Sequence, residues 1–333
     1  MKTKIVYVLV SDGKDSFCEM TLLSIYSLRL HHPSVSIIII MDAPTDVILR
    51  ERYAEYLDGI NLVILPVPEL YGKKTRSRYF KTTLRQNIQG DFLYLDSDTL
   101  ICASLQDIDS FSCDLACVLD YHSLRTLDQD DIIEKCRKIG FNSVAGHPYF
   151  NGGVFYVKDT LNSHNFFHNW HECWLFSVAH GYDIDQPALC QANINSGHPI
   201  QELAGEWNCQ THTETGKKLL SKAKVLHYYT MFRLYSPVKE RLFNDIKATK
   251  GISASADKVA RNPRTLGFAV FTSEMAFDKP MNEFVYSDLL FPYCSIRPLY
   301  NTLCFLARIL SNPVLRLIRL KTNFLLFVRR LEK

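Results

Sequence analysis

Two aspartates one residue apart, Asp96 and Asp98, close the apolar run Phe92-Leu93-Tyr94-Leu95, and the chain turns apolar again at Leu100. A short apolar run bounded by polar residues reads as a buried strand. Its Asp-Ser-Asp end places two carboxylates at the strand's C-terminal mouth, the edge where ligands sit in open α/β sheets. Carboxylates this close repel, so a positive group between them is expected. Hard oxygen donors of this kind suit Mg²⁺ or Mn²⁺, often held by one or two carboxylates plus substrate phosphates. The plainer alternative is that both aspartates serve the turn that follows.

Other polar residues recur at the ends of apolar segments. Arg76, Arg78, Lys81 and Arg85 precede the Asp-Ser-Asp strand. On a helix Arg78, Lys81 and Arg85 share one face, which is either solvated or turned inward to neutralise phosphate. In Tyr149–Val157, Asn151 offers both an amide donor and an acceptor, and Gly152-Gly153 permits close approach of backbone or ligand. Asp185-Gln186-Pro187 precedes a helix expected over Ala188–Ala192, where an aspartate serves as a cap or as a site group. The strand from Lys224 ends in His227, which is structural or a metal ligand. His164, His168 and His171 share a helical spacing, but the interleaved Phe and Trp residues favour a packed amphipathic helix over a ligand set.

The elements that must position these groups alternate. Strands are expected at Ile5–Val10, Ser36–Ile40 and Asn61–Leu65, with helices at 19–30 and 46–57 between them, a pattern of parallel sheet flanked by helices. Further strands are expected at Asp114–Asp120 and Tyr149–Val157, and a helix over 160–180. No G-x-G-x-x-G follows the first strand and no G-x-x-x-x-G-K-[ST] occurs, which argues against nicotinamide enzymes and P-loop nucleotidases. The ten cysteines include no C-x-x-C pair and are expected as reduced thiols of a cytosolic protein. Residues 1–10 are expected as a strand and not a secretory leader. No uncharged apolar run approaches the ~20 residues that span a bilayer.

The net charge of +3 is unevenly spread: residues 291–333 carry +7 and the preceding 290 carry −4. In that tail two helices broken at Pro313 are expected, with Leu315, Ile318, Phe324, Leu325 and Val328 opposite Arg316, Arg319, Lys321 and Arg330. Such basic amphipathic helices suit a membrane interface, or else pack on their own domain or a second subunit. Nucleic acid is disfavoured as a partner, because nothing else in the chain is basic.

Taken in order, Leu93-Tyr94-Leu95-Asp96-Ser97-Asp98-Thr99-Leu100, Phe150-Asn151-Gly152-Gly153-Val154, Asp185-Gln186 and Val225-Leu226-His227-Tyr228 resemble glycosyltransferase family 8, nucleotide-sugar transferases of the GT-A fold. The resemblance covers roughly residues 4–235. It implies an α/β fold with a mixed, mainly parallel sheet flanked by helices. It also implies a divalent metal, Mn²⁺ or Mg²⁺, held by Asp96, Asp98 and His227 against the diphosphate of a UDP-sugar. Val10 and Asp12 would then lie at the uridine, and Lys81 where the family keeps a basic residue. Asp120, Asn151 and Gly152 would lie near the sugar or acceptor, with Asp185 and Gln186 beneath the anomeric carbon. The family often follows its histidine with Gly and Lys-Pro; here Arg233 is the available clamp for the diphosphate.

The expected organisation is a catalytic domain over 1–235, its extension over 236–290 and basic membrane-associating helices over 291–333. The expected activity is transfer of a hexose, with retention, to a glycan or glycolipid acceptor such as a lipopolysaccharide or other surface-polysaccharide precursor. The expected location is the cytoplasmic face of the cell membrane. An inverting enzyme with Asp185 as general base, and a non-catalytic membrane-surface protein, are the alternatives.

Overall fold

The computed structural model describes residues 1–124, 130–228 and 237–267, together with Thr302. The alternation read from the sequence gives β1 (Lys4–Leu9), α1 (Phe17–His31), β2 (Ile37–Met41), α2 (Ala43–Tyr53), β3 (Ile60–Ile64), α3 (Lys73–Thr82) and the short α4 (Leu84–Asn87). There follow β4 (Phe92–Leu95), β5 (Thr99–Ile101), β6 (Leu115–Leu119), α5 (Asp130–Ile139), β7 (Phe150–Val157), α6 (Leu161–Ala179) and α7 (Asp185–Asn195). The described chain continues through β8 (Ile200–Glu202), β9 (Cys209–Gln210), α8 (Glu214–Leu219), β10 (Val225–His227), α9 (Pro237–Thr249) and α10 (Ala254–Arg261).

Seven strands form one sheet in the order β3-β2-β1-β4-β7-β6-β8. Only β7 runs against its neighbours, so the sheet is mixed and mainly parallel. The inner strands β2, β1, β4, β7 and β6 are buried because both faces are covered, whereas the edge strands β3 and β8 are partly exposed. Ile5, Tyr7 and Leu9 of β1 point into a core shared with α1, α9 and α10, while Val6 and Val8 point into one shared with α3, α6 and α7. The aromatic residues of α6 serve that second core: Phe167 and Trp170 pack against Phe155, and Trp174 is fully buried. His171 stacks on Trp174 and hydrogen-bonds Thr82, and His164 pairs with Asp159, so these histidines knit the helix to its surroundings.

Two expectations of boundary are revised. The second helix starts at Ala43, because the Asp42 carboxylate accepts from Thr45 N at 3.0 Å and Pro44 lies in the first turn. The helix after Ile184 starts at Asp185, with Pro187 in the first turn, where its missing N–H costs no helical bond. The apolar run closed by Asp-Ser-Asp is β4, as expected, and the apolar residues beyond it form a separate strand, β5. β4 lies in the large sheet, and β5 crosses into a three-stranded sheet of order β5-β10-β9.

Part of the expected extension is described: α9 and α10 pack on α1, and Tyr26 donates to Asp257 at 2.6 Å. The rest of the extension and, apart from Thr302, the basic segment 291–333 lie outside the described residues. Among the described residues no helix is long and apolar enough to cross a membrane.

Candidate active site

The crossover from β4 to β5 sets the geometry. Asp96-Ser97-Asp98 fills the turn between the two sheets, fixed by Asp96 N donating to Gly153 O at 2.8 Å and Thr99 Oγ1 donating to Asp96 O at 2.8 Å. β10 pairs antiparallel with β5, and the register sets His227 opposite Thr99. Two distant segments are thereby brought together. His227 Nε2 lies 3.2 Å from Asp98 Oδ1 and 4.0 Å from Asp96 Oδ2. One ligand atom from each of the three residues fits within a mutual spacing of 4.8 Å, and no other such cluster occurs among the described residues.

Gly153 makes the cluster possible. A Cβ at this position would stand 2.2 Å from His227 Cε1 and 2.8 Å from Asp96 Oδ2. At Gly152 a Cβ would meet only ordinary contacts, the nearest at 3.5 Å from Leu189. Because β7 is antiparallel, its N-terminal end lies at the same sheet edge as the C-terminal ends of β1, β4 and β6. Its pairing with β6 jumps from Phe155 to Asn151 between Cys117 and Val118, and the glycine pair lies inside that irregularity. Two carboxylates and an imidazole, crowded against a glycine with no room for a side chain, are a donor set that fits Mn²⁺ or Mg²⁺.

A second charged group adjoins the first. Lys81 Nζ, from the buried face of α3, lies 3.1 Å from Asp185 Oδ2 and 3.3 Å from Asp96 Oδ1, and Arg78 Nε lies 3.3 Å from Asp185 Oδ1. Burial opposes the charge on Lys81 and on Arg78, yet the neighbouring carboxylates, Asp185 foremost, outweigh it and raise both. Burial likewise pushes Asp185 up, but Lys81 and Arg78 prevail and hold its carboxyl down at about 2. The carboxylate of Asp185 therefore faces cations rather than capping its helix. Arg85, expected on the same face, turns away: it donates to Gly90 O at 2.9 Å, lies 3.2 Å from Asp159 and covers the Phe92 ring.

A third group is held by hydrogen bonds. Asn151 Nδ2 donates to Asp120 Oδ1 at 3.0 Å, and Asn151 Oδ1 accepts from Gly153 N at 3.0 Å and from Asn208 Nδ2 at 2.9 Å. Asn208 Oδ1 in turn lies 2.9 Å from His227 Nδ1. Burial pushes Asp120 up against the hydrogen bonds from Asn151 and Gln186, which favour its charged form. Tyr121 and His122, just past it, both have left-handed backbone, with φ of 55° and 53°, strain of the kind that collects at functional sites.

These groups share one cleft of about 590 Å³. Val10, Lys81, Asp96, Asp98, Asp120, Asn151, Gly152, Asp185, Gln186 and His227 all line it. Asp12 does not: its carboxylate accepts from Lys14 N at 2.9 Å and pairs with Lys73 at 3.0 Å, shaping the turn beside the cleft. Arg233 lies outside the described residues. The sequence did not single out Gly153 over Gly152, nor Asn208. The one available signal for Asn208 was an amide directly following the large aromatic Trp207.

A sequence model of glycosyl transferase family 8 matches residues 9–233. Comparison with curated protein sequences returns no match. Among solved structures the chain is similar to the apo form of the bifunctional glycosyltransferase WbbM, with a TM-score of 0.52 and 15% identity. That likeness is one of fold, over 77% of this chain and 51% of WbbM, about half its length. The galactosyltransferase LgtC, in complex with donor and acceptor sugar analogs, aligns at a TM-score of 0.48 and 15% identity, over 74% of this chain and 96% of that one. The glycosyltransferase GlyE of Streptococcus pneumoniae aligns at 0.49 and 16% identity, over 81% and 65%. The family match begins at the end of β1, runs past β10 and takes in every charged group that meets in the cleft; the chain belongs to glycosyl transferase family 8 and is a glycosyltransferase.

Proposed function

We propose that the chain transfers a hexose from a UDP-sugar to a glycan acceptor with retention of anomeric configuration, using a divalent metal held by Asp96, Asp98 and His227. The observation that carries this reading is the convergence of that triad with the Lys81–Arg78–Asp185 cluster in one cleft at the sheet edge. A divalent cation at the triad would offset the negative charge that builds on the leaving diphosphate.

The chain's own residues supply the rest. The apolar end of β1, with Val8 and Val10, and Phe17 beside it line the part of the cleft suited to a flat base. Lys81, 3.3 Å from Asp96, and Arg78, 3.3 Å from Asp185, add positive charge toward the diphosphate. Asp185 is held ionised and positions a sugar hydroxyl. Asp120, Asn151 and Gln186 offer hydrogen bonds to the transferred sugar or to the acceptor.

The inverting alternative needs Asp185 to take a proton from the acceptor. A carboxylate held at about 2 by two cations is a weak base for that step. Gln186, an uncharged amide, is a poor nucleophile. Attack on the same face as the departing phosphate, with a phosphate oxygen receiving the acceptor's proton, requires no protein base.

The lipid-linked acceptor and a peripheral position on the inner face of the membrane are proposed from the basic, amphipathic sequence of residues 291–333. A screen of nucleotide-sugars for UDP release, followed by the anomeric configuration of the product, tests the donor and the stereochemistry. Retained configuration supports the reading, and an inverted product overturns that part of it. Binding of the full chain to anionic but not neutral vesicles tests the membrane assignment.

A further inference from the structure

The hydrogen bonds behind His227 have a fixed direction. Gly153 N–H is a backbone donor, so the Asn151 atom 3.0 Å from it is the carbonyl oxygen, and the Asn151 amide nitrogen faces Asp120. Asn208 lies 2.9 Å from that same carbonyl oxygen and presents its NH₂ there; the reverse orientation would set two carbonyl oxygens face to face. The Asn208 carbonyl oxygen therefore points at His227 Nδ1, 2.9 Å away, and can only accept. Nδ1 must carry a proton. In the neutral ring Nε2 then has its lone pair directed at Asp98 and Asp96. All three supporting groups are buried: Asn208 is 0% exposed, His227 2% and Asn151 5%.

We propose that Asn208 is a positioning residue that locks His227 in the Nδ1–H tautomer and so presents Nε2 to the cation site formed with Asp96 and Asp98. This rests on the metal-binding role proposed for those residues. Asn208 reaches the site only through the imidazole, and its orientation is set in turn by Asn151 and the Gly153 backbone. A ligating histidine is commonly oriented by a partner on its other ring nitrogen, and loss of that partner costs about 10–100-fold in metal affinity. The relay uses neutral amides, so it fixes direction without adding charge to the site.

The test uses the full chain and two readouts. ¹⁵N spectra of the histidine-labelled, metal-free protein at about pH 9, well above the ordinary imidazole range, report the tautomer, with His227→Gln identifying the signal. Mn²⁺ titration by calorimetry reports affinity in the wild type, Asn208→Leu and Asn208→Asp. The wild type is expected to show the Nδ1–H form. Asn208→Leu should lose that form and about 10–100-fold in Mn²⁺ affinity, whereas Asn208→Asp, which still accepts from Nδ1–H although its other oxygen meets the Asn151 carbonyl, should keep the Nδ1–H form and lose less affinity than the leucine variant. A wild type in the Nε2–H form overturns the proposal even if the leucine variant does not fold, as does a folded Asn208→Leu with wild-type Mn²⁺ affinity. A wild type with the Nδ1–H form that binds no Mn²⁺ overturns the metal reading itself, and with it the role of Asn208 toward a cation.

Discussion

Along one wall of the cleft Lys81 and Arg78 meet Asp185 and Asp96 as ion pairs; along the other, Asp120, Asn151 and His227 are joined through side-chain amides, with Asn208 buried behind them. The first wall is held by charge. Lys81, Arg78 and Asp185 each suffer from burial and are kept ionised by their neighbours, so removing one of them strands another. The second is held by direction. Its amides cost little to bury once paired, and what they fix is which atom faces which. In the proposed function the first wall sets the field felt by an anionic donor, and the second sets the aim of a ligand atom.

The comparison can be broken at several points. Asp98→Ala removes the carboxylate shared with His227, and transferase activity should fall about 1000-fold while the fold survives, as steady-state UDP release and a thermal melt would show. Lys81→Met should act mainly on stability. It leaves Asp185 buried with Arg78 alone, a loss of about 3 kcal/mol in denaturant titration. If this variant is as stable as the wild type, the charged wall is not held as described.

Acid titration separates the two walls by sign. Asp185 is held near 2, below its unfolded value, so its contribution of about 2 kcal/mol is present above pH ~4 and is lost as the pH falls through its folded value. Asp120 is shifted the other way by burial, so its charged form weakens the fold at neutral pH and acidification relieves that cost. Asp120→Asn should therefore raise the melting temperature at neutral pH, and Asp185→Asn should lower it. The same direction for both would contradict the assignment.

The smallest effects discriminate between adjacent residues. Gly153→Ala puts a methyl group into His227 and Asp96, and should lower Mn²⁺-dependent activity about tenfold. Gly152→Ala meets only van der Waals contacts and should stay within about twofold of the wild type. Equal losses at the two positions would mean that the cluster yields more than its packing indicates.

Much of the fold was legible because the inner strands are buried on both faces and announce themselves as apolar runs, as in Ile37–Met41. The site groups that were legible, Asp96, Asp98, Asn151 and His227, each interrupt or close such a run. What was not legible depends on contacts between distant segments. The split of Phe92–Leu100 into two sheets follows from pairing with Val225–His227, more than a hundred residues away. Arg78 and Arg85 are alike in type and spacing, yet one meets Asp185 and the other meets the Gly90 and Ile88 carbonyls. Asn208 ends a 3₁₀ helix of four residues, Gly205–Asn208, too short for periodicity to mark which way an amide points.

The most direct measurement of the central claim is UDP-sugar turnover, read as UDP release with Mn²⁺ present, compared with EDTA-treated protein and with Asp98→Ala. Turnover that requires the metal and is lost in the variant is the expected result. Undiminished turnover in EDTA would contradict the assignment of Asp96, Asp98 and His227 as the metal site of this glycosyltransferase.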